Sequence, residues 1–90
     1  MYKTITEALA IFDGLDPSSV HTITEDVSGE TTTGTPAELV RRIIEQDKRT
    51  GGNISHKAET VEACAIIEAA YAIADGEAIT TDDRRTVWTG

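Results

Sequence analysis

Residues 59–77 read ETVEACAIIEAAYAIADGE, and between Glu59 and Asp75 the only charges are Glu62 and Glu68. A helix that is apolar on nearly every side belongs inside a fold, because no face of it is content in water. At 100° per residue, Cys64, Ile67 and Tyr71 form one face, while Ile66 and Ile73 stand roughly 130° away, beside Glu59 and Glu62. Most other positions are alanine, which buries little area but lets a neighbouring backbone come close. The pattern predicts a central helix packed on two or three sides. The alternative leaves Ile66 and Ile73 at the surface, as an apolar contact stripe framed by acids for a partner or a second copy. Glu68 is expected to pack its stem and reach water or an arginine with its head.

The rest of the chain must then cover that helix, and a chain of 90 residues has one core with which to do so. We expect a single domain over residues 1–90. Thr4-Ile5-Thr6-Glu7 has capping-box spacing and predicts a first helix, with Ile5, Ala8, Leu9, Phe12 and Leu15 on one face and Gly14 near its end. Residues 18–35 are rich in Thr and Val and broken by Ser28-Gly29. A β-hairpin is expected there, pairing residues 20–25 with residues 30–33. Thr35-Pro36-Ala37-Glu38 is a second capping box with proline at the first helical position, so a helix starts at residue 36. Leu39, Val40, Ile43 and Ile44 supply its apolar stripe, and Gly51-Gly52 ends it. Ser55 is read as the cap of the central helix, which runs to about Ala74 and stops at Asp75-Gly76. Acids precede bases in residues 80–85, as a short helical turn prefers, and Val87-Trp88 would fold back as a plug. The fold class is therefore α+β: an N-terminal helix, a β-hairpin, two longer antiparallel helices and a short C-terminal helical turn. Loss of the hairpin would leave an all-α bundle.

Charge narrows the function. Sixteen acids against eight bases give a net charge of −8. Direct binding to DNA, RNA or an anionic membrane needs clustered Lys and Arg, and is not expected. A basic protein surface is the better match. The imbalance is also uneven: residues 1–30 hold six acids and one base, residues 31–57 three acids and five bases, and residues 58–90 seven acids and two bases. The candidate partner-binding acids are Glu25, Asp26 and Glu30 at the hairpin turn, Glu59 and Glu62 before and within the central helix, and Asp75, Glu77, Asp82 and Asp83 after it.

No motif points to catalysis, a cofactor or a metal. Cys64 is the lone cysteine, which excludes an intramolecular disulfide and a Cys-rich zinc site. His56 and Cys64 lie two helical turns apart, too far for one ion. Asp13-Gly14-Leu15-Asp16 and Asp75-Gly76-Glu77 lack the alternating oxygens of a calcium loop, and Gly51-Gly52 lacks the downstream Gly-Lys of a phosphate loop. With no signal-peptide pattern and no long apolar span, the expected compartment is the cytoplasm.

HKAETVEACAIIEAAYAIADGE, residues 56–77, resembles the Ala-rich, Cys-containing acidic helix of small phage-borne anti-CRISPR proteins, especially the type I-F inhibitors. The shared pattern is Thr60-Val61, Ala63-Cys64 and Glu68-Ala69. The resemblance implies a non-enzymatic inhibitor, which if phage-encoded acts in the host cytoplasm; the sequence is compatible with a monomer or a homodimer. It would bind a CRISPR effector complex at basic surfaces meant for DNA or guide RNA. A rival class is a regulatory or antitoxin-like helix-turn-helix module. That would bring residues 36–50, with Arg41, Arg42, Lys48 and Arg49, and the following helix onto DNA.

Overall fold

A computed structural model describes residues 5–80 and 86–88. Its elements in chain order are α1 (Ile5–Asp13), β1 (His21–Glu25), β2 (Thr31–Gly34), α2 (Pro36–Thr50), β3 (His56–Lys57), α3 (Val61–Ala74), β4 (Ala78–Thr80) and β5 (Thr86–Trp88). Three helices and a small three-stranded antiparallel sheet, ordered β2-β1-β3, make this an α+β fold. No described helix is long and apolar enough to cross a membrane.

α3 is the centre. It packs against α1, α2, β1 and β4, and Ala63, Ala65, Ile66, Ile67, Ala69, Ala70 and Ala72 along it are buried. One side meets Ile23 of β1 with Leu39 and Ile43 of α2. The other side, through Ala69 and Ala72, meets Leu9 of α1 and Ala78 of β4. Phe12 touches both clusters and joins them. Ile66 is 0% exposed, so it belongs to the core and is closed to any partner. This is the packed reading of the helix; the alternative, Ile66 as part of an exposed contact stripe, fails because α2 and β1 cover it. Ile73 is half-buried and packs against the α1 side.

The local signals act where the physics places them. Thr35 Oγ1 accepts from the Glu38 N–H at 3.3 Å, and Glu38 Oε1 accepts from the Thr35 N–H at 2.9 Å, which closes the capping box and fixes the start of α2. Gly51, at φ 66°, ends α2 in the left-handed region, with the Gly52 N–H donating to Asp47 O at 2.9 Å. Gly76, at φ 75°, does the same beyond α3, where the Glu77 N–H donates to Ala72 O. The hairpin forms with β2 shifted one residue later than expected, so that Ile23 faces Thr32 and Thr24 faces Thr31.

Two elements differ from the sequence reading. α3 starts after Thr60, whose side chain accepts from the Ala63 N–H at 3.1 Å, and not after Ser55. His56 and Lys57 are taken into β3, opposite Glu25 and Thr24, and pairing with β1 outcompetes an earlier helix start. The expected helical turn over residues 80–85 lies outside the described residues except for Thr80, which is in β4. Ala78–Thr80 and Thr86–Trp88 pair as an antiparallel ladder, and β5 runs beside α1. The capping role of Thr4 also falls outside the described residues.

Candidate partner-binding surface

The acids singled out by the sequence separate into those the fold uses and those it leaves to solvent. Glu25 is used. At the end of β1 it is 9% exposed, and its carboxylate accepts from the Val27 N–H at 3.0 Å, the Ser28 N–H at 2.6 Å and the Ser28 hydroxyl. The Ser28 hydroxyl, then the Ser28 and Val27 amides, hold its pKa below the ordinary carboxylate value. Glu25 is thus the clamp of the hairpin turn and is unavailable to a partner, contrary to its expected role. Asp26 is exposed and bridges to Ser55, just before β3, with its amide donating to Ser55 O at 3.0 Å and Ser55 Oγ donating to its carboxylate at 2.8 Å. Glu30 meets Arg42 of α2 at 3.3 Å, an exposed pair worth little on its own.

Four candidates remain exposed, and their carboxylates have no hydrogen-bond or ion-pair partner among the described residues: Glu59, Glu62, Asp75 and Glu77. They form two groups at opposite ends of α3, about 20 Å apart for a 14-residue helix. Glu62 sits in the first turn, where the helix dipole welcomes an anion. Asp75 and Glu77 sit at the other end, where the dipole is negative and the last turn holds no base. Asp82 and Asp83 lie outside the described residues. The fold therefore does not gather the nine acids into one patch.

His56 bridges three elements: Nε2 lies 2.8 Å from Gln46 Oε1 of α2, and Nδ1 lies 2.7 Å from the Tyr71 hydroxyl of α3. An amide oxygen only accepts, so Nε2 carries the proton and Nδ1 accepts from Tyr71. Burial lowers the His56 pKa despite the nearby Glu25, Asp26 and Asp47 carboxylates, and burial pushes the Tyr71 phenol up to about 12. A neutral imidazole held between an amide and an un-ionised phenol ties β3 to α2 and α3. Cys64 Sγ, half-buried, contacts Ala58 O at 3.6 Å. Glu68 is half-buried, and no described side chain leaves a buried polar atom unpartnered. No group of three or more His, Cys, Asp or Glu side chains among the described residues is placed to hold a metal ion.

No family model, curated protein or solved structure matches the chain. A functional reading of the chain draws on its surface beside the resemblance of its central helix.

Two further features of that surface bear on it. Residues 51–60 between α2 and α3 contain β3, whereas a helix-turn-helix joins its helices by a turn of three or four residues, so the rival DNA-binding arrangement lacks its geometry. The sequence reading also missed a groove of about 700 Å³ beside α2. Phe12, Leu15 and Pro17 form one wall, Ala37, Val40 and Ile44 of α2 the other, and Ile73 contributes from α3. Asp13, Pro36, Arg41, Glu45 and Lys48 complete the lining. The signal was present in the sequence: the apolar stripe of α2 is wider than one core contact requires. Leu39 and Ile43 fill the core, and Val40 and Ile44 are left half-buried.

Proposed function

We propose that the chain is a non-enzymatic acidic binding protein that occupies a basic, nucleic-acid-handling surface of another macromolecule. By the resemblance of its central helix, the partner is a type I-F CRISPR surveillance complex and the protein is its phage-encoded inhibitor. The observation that carries the reading is the placement of Asp75 and Glu77. Both are exposed, neither has a basic partner among the described residues, and both lie at the helix end where negative charge disfavours folding. Carboxylates that work against their own helix need another reason to be there, and a cationic partner surface supplies one. With Glu59 and Glu62 at the far end of α3, they present anionic groups about 20 Å apart on one rigid element. Such groups can stand where a nucleic-acid backbone would place its phosphates.

The test is competition. Purified type I-F surveillance complex is incubated with the protein and then with labelled target DNA, across a salt series. Loss of DNA binding is expected, weakening as salt rises and relieved by Asp75→Asn with Glu77→Gln or by Glu59→Gln with Glu62→Gln. Unchanged DNA binding at saturating protein would remove the surveillance complex as partner. Inhibition that survives both double substitutions with the same salt dependence would remove the acidic surface as its cause.

A further inference from the structure

The groove beside α2 carries a charge order that the acidic surface elsewhere does not have. Glu38, Arg41, Glu45 and Lys48 are spaced so that, at 100° per residue, they fall within about 80° of one another on a single flank of α2. Along the helix their signs alternate: minus, plus, minus, plus. Reversed about the level of Ile43, that order becomes its own complement, because position 41 meets 45 and position 38 meets 48. Next to this flank runs the apolar seam of Ala37, Val40 and Ile44, which opens into the groove with Phe12, Leu15 and Ile73.

We propose that this face is a two-fold interface between two copies of the chain, with α2 packed antiparallel against α2 of the second copy. In that arrangement Ile44 of each copy lies beside Ile44 of the other near the two-fold axis, and Arg41 of each copy faces Glu45 of the other. Lys48 correspondingly faces Glu38, whose exposed carboxylate has acceptor sites beyond the one that takes the Thr35 N–H. Antiparallel helices bring like flanks together, so one flank carrying both signs in this order is self-complementary. Three features favour a second copy over an unlike partner. The four flank charges cancel, so neither a strongly acidic nor a strongly basic surface is drawn to them. Two chains of net charge −8 repel everywhere except where local charge vanishes, and a Debye length of about 8–10 Å keeps the distant acids out of the contact. The groove is also apolar beside that flank, as the centre of a homodimer contact is.

Light scattering behind size exclusion, in about 0.1 M salt, tests this with charge swaps on exposed residues that leave the core untouched. The wild-type chain is expected to be a dimer. Arg41→Glu alone and Glu45→Arg alone each set like charges opposite one another at both symmetric positions. Each should weaken association on the order of 30-fold. The double variant restores the complement and should dimerise again. An equimolar mixture of the two single variants should form a heterodimer that neither makes alone. Circular dichroism confirms that each variant is folded. A wild-type chain that is monomeric at the highest soluble concentration overturns the proposal. So does a dimer that survives both single reversals, or a double variant that stays monomeric while folded.

Discussion

Truncating Ile66 to alanine separates a core helix from a contact helix. Ile66 is 0% exposed, in one cluster with Ile23, Leu39 and Ile43. The substitution removes three carbons from that cluster. At about 0.8 kcal/mol for each buried carbon the transfer loss is about 2.4 kcal/mol. The space left behind adds to it, because α2 and β1 are fixed to other partners and cannot collapse fully, so a total of about 3–4 kcal/mol is expected. A domain of this size has about 5–13 kcal/mol in all, and each kcal/mol moves its melting temperature by about 4–8 °C. Ile66→Ala should therefore lower the midpoint by about 15–25 °C. The measurement is urea and thermal unfolding in the Arg41→Glu background, where association does not contribute. Ile73→Ala serves as comparison: its side chain is half-buried at the groove, and about 1 kcal/mol or less is expected from it. An Ile66→Ala loss below about 1 kcal/mol, with cooperative unfolding intact, would show that the central packing of α3 is wrong.

Acid should act in two stages. Burial keeps the folded His56 from protonating while the unfolded chain takes up its proton near 6.5; its contribution is complete above that pH and declines below it. Asp16, Glu25 and Glu38 are held below their ordinary values by hydrogen bonds, so their contributions are complete above about 4.5 and are lost as pH falls through the lowered folded values. Urea midpoints across pH 3–8 should show both, His56→Gln abolishing the upper stage and Glu25→Gln shrinking the lower. Asp75→Asn with Glu77→Gln is expected to raise stability by about 0.3–1 kcal/mol through relief at the negative helix end; a loss of stability would deny that these acids oppose the fold. Gly51→Ala should cost about 1–2 kcal/mol for backbone conformation alone, since no atom lies within 4 Å of an added Cβ; a neutral result would mean that the turn relaxes.

Local chemistry was readable wherever one segment decides its own conformation. Thr35 and Glu38 specify the start of α2, Gly51 its end, and Gly76 lies just past the end of α3, because caps and left-handed glycines act within a few residues. β3 was hidden, since two residues carry no periodicity and His56 and Lys57 are extended only because β1 is beside them. At the C-terminus the β-branched pairs Ile79-Thr80 and Thr86-Val87 held the signal for β4 and β5, which the sequence reading did not use. The acids were harder to read. Composition marks Glu25 and Glu77 alike, but only the geometry of the turn commits Glu25 to Val27 and Ser28 and leaves Glu77 in water. Ile66 and Ile73 share one side of a helical wheel, yet the first is sealed by α2 and β1 while the second borders the groove, a distinction that depends on how far each neighbouring helix extends.

The alanines of α3 also set the direction in which this protein can change. Ala65, Ala69 and Ala70 are 0% exposed, and alanine has no rotamers to freeze, so ordering them on folding costs no side-chain entropy. A core assembled this way tolerates few additions: one more methyl group at any of these positions has to push a neighbouring helix or strand outward. Substitutions that enlarge the centre are closed to such a lineage, and the surface is where its sequence is free to drift.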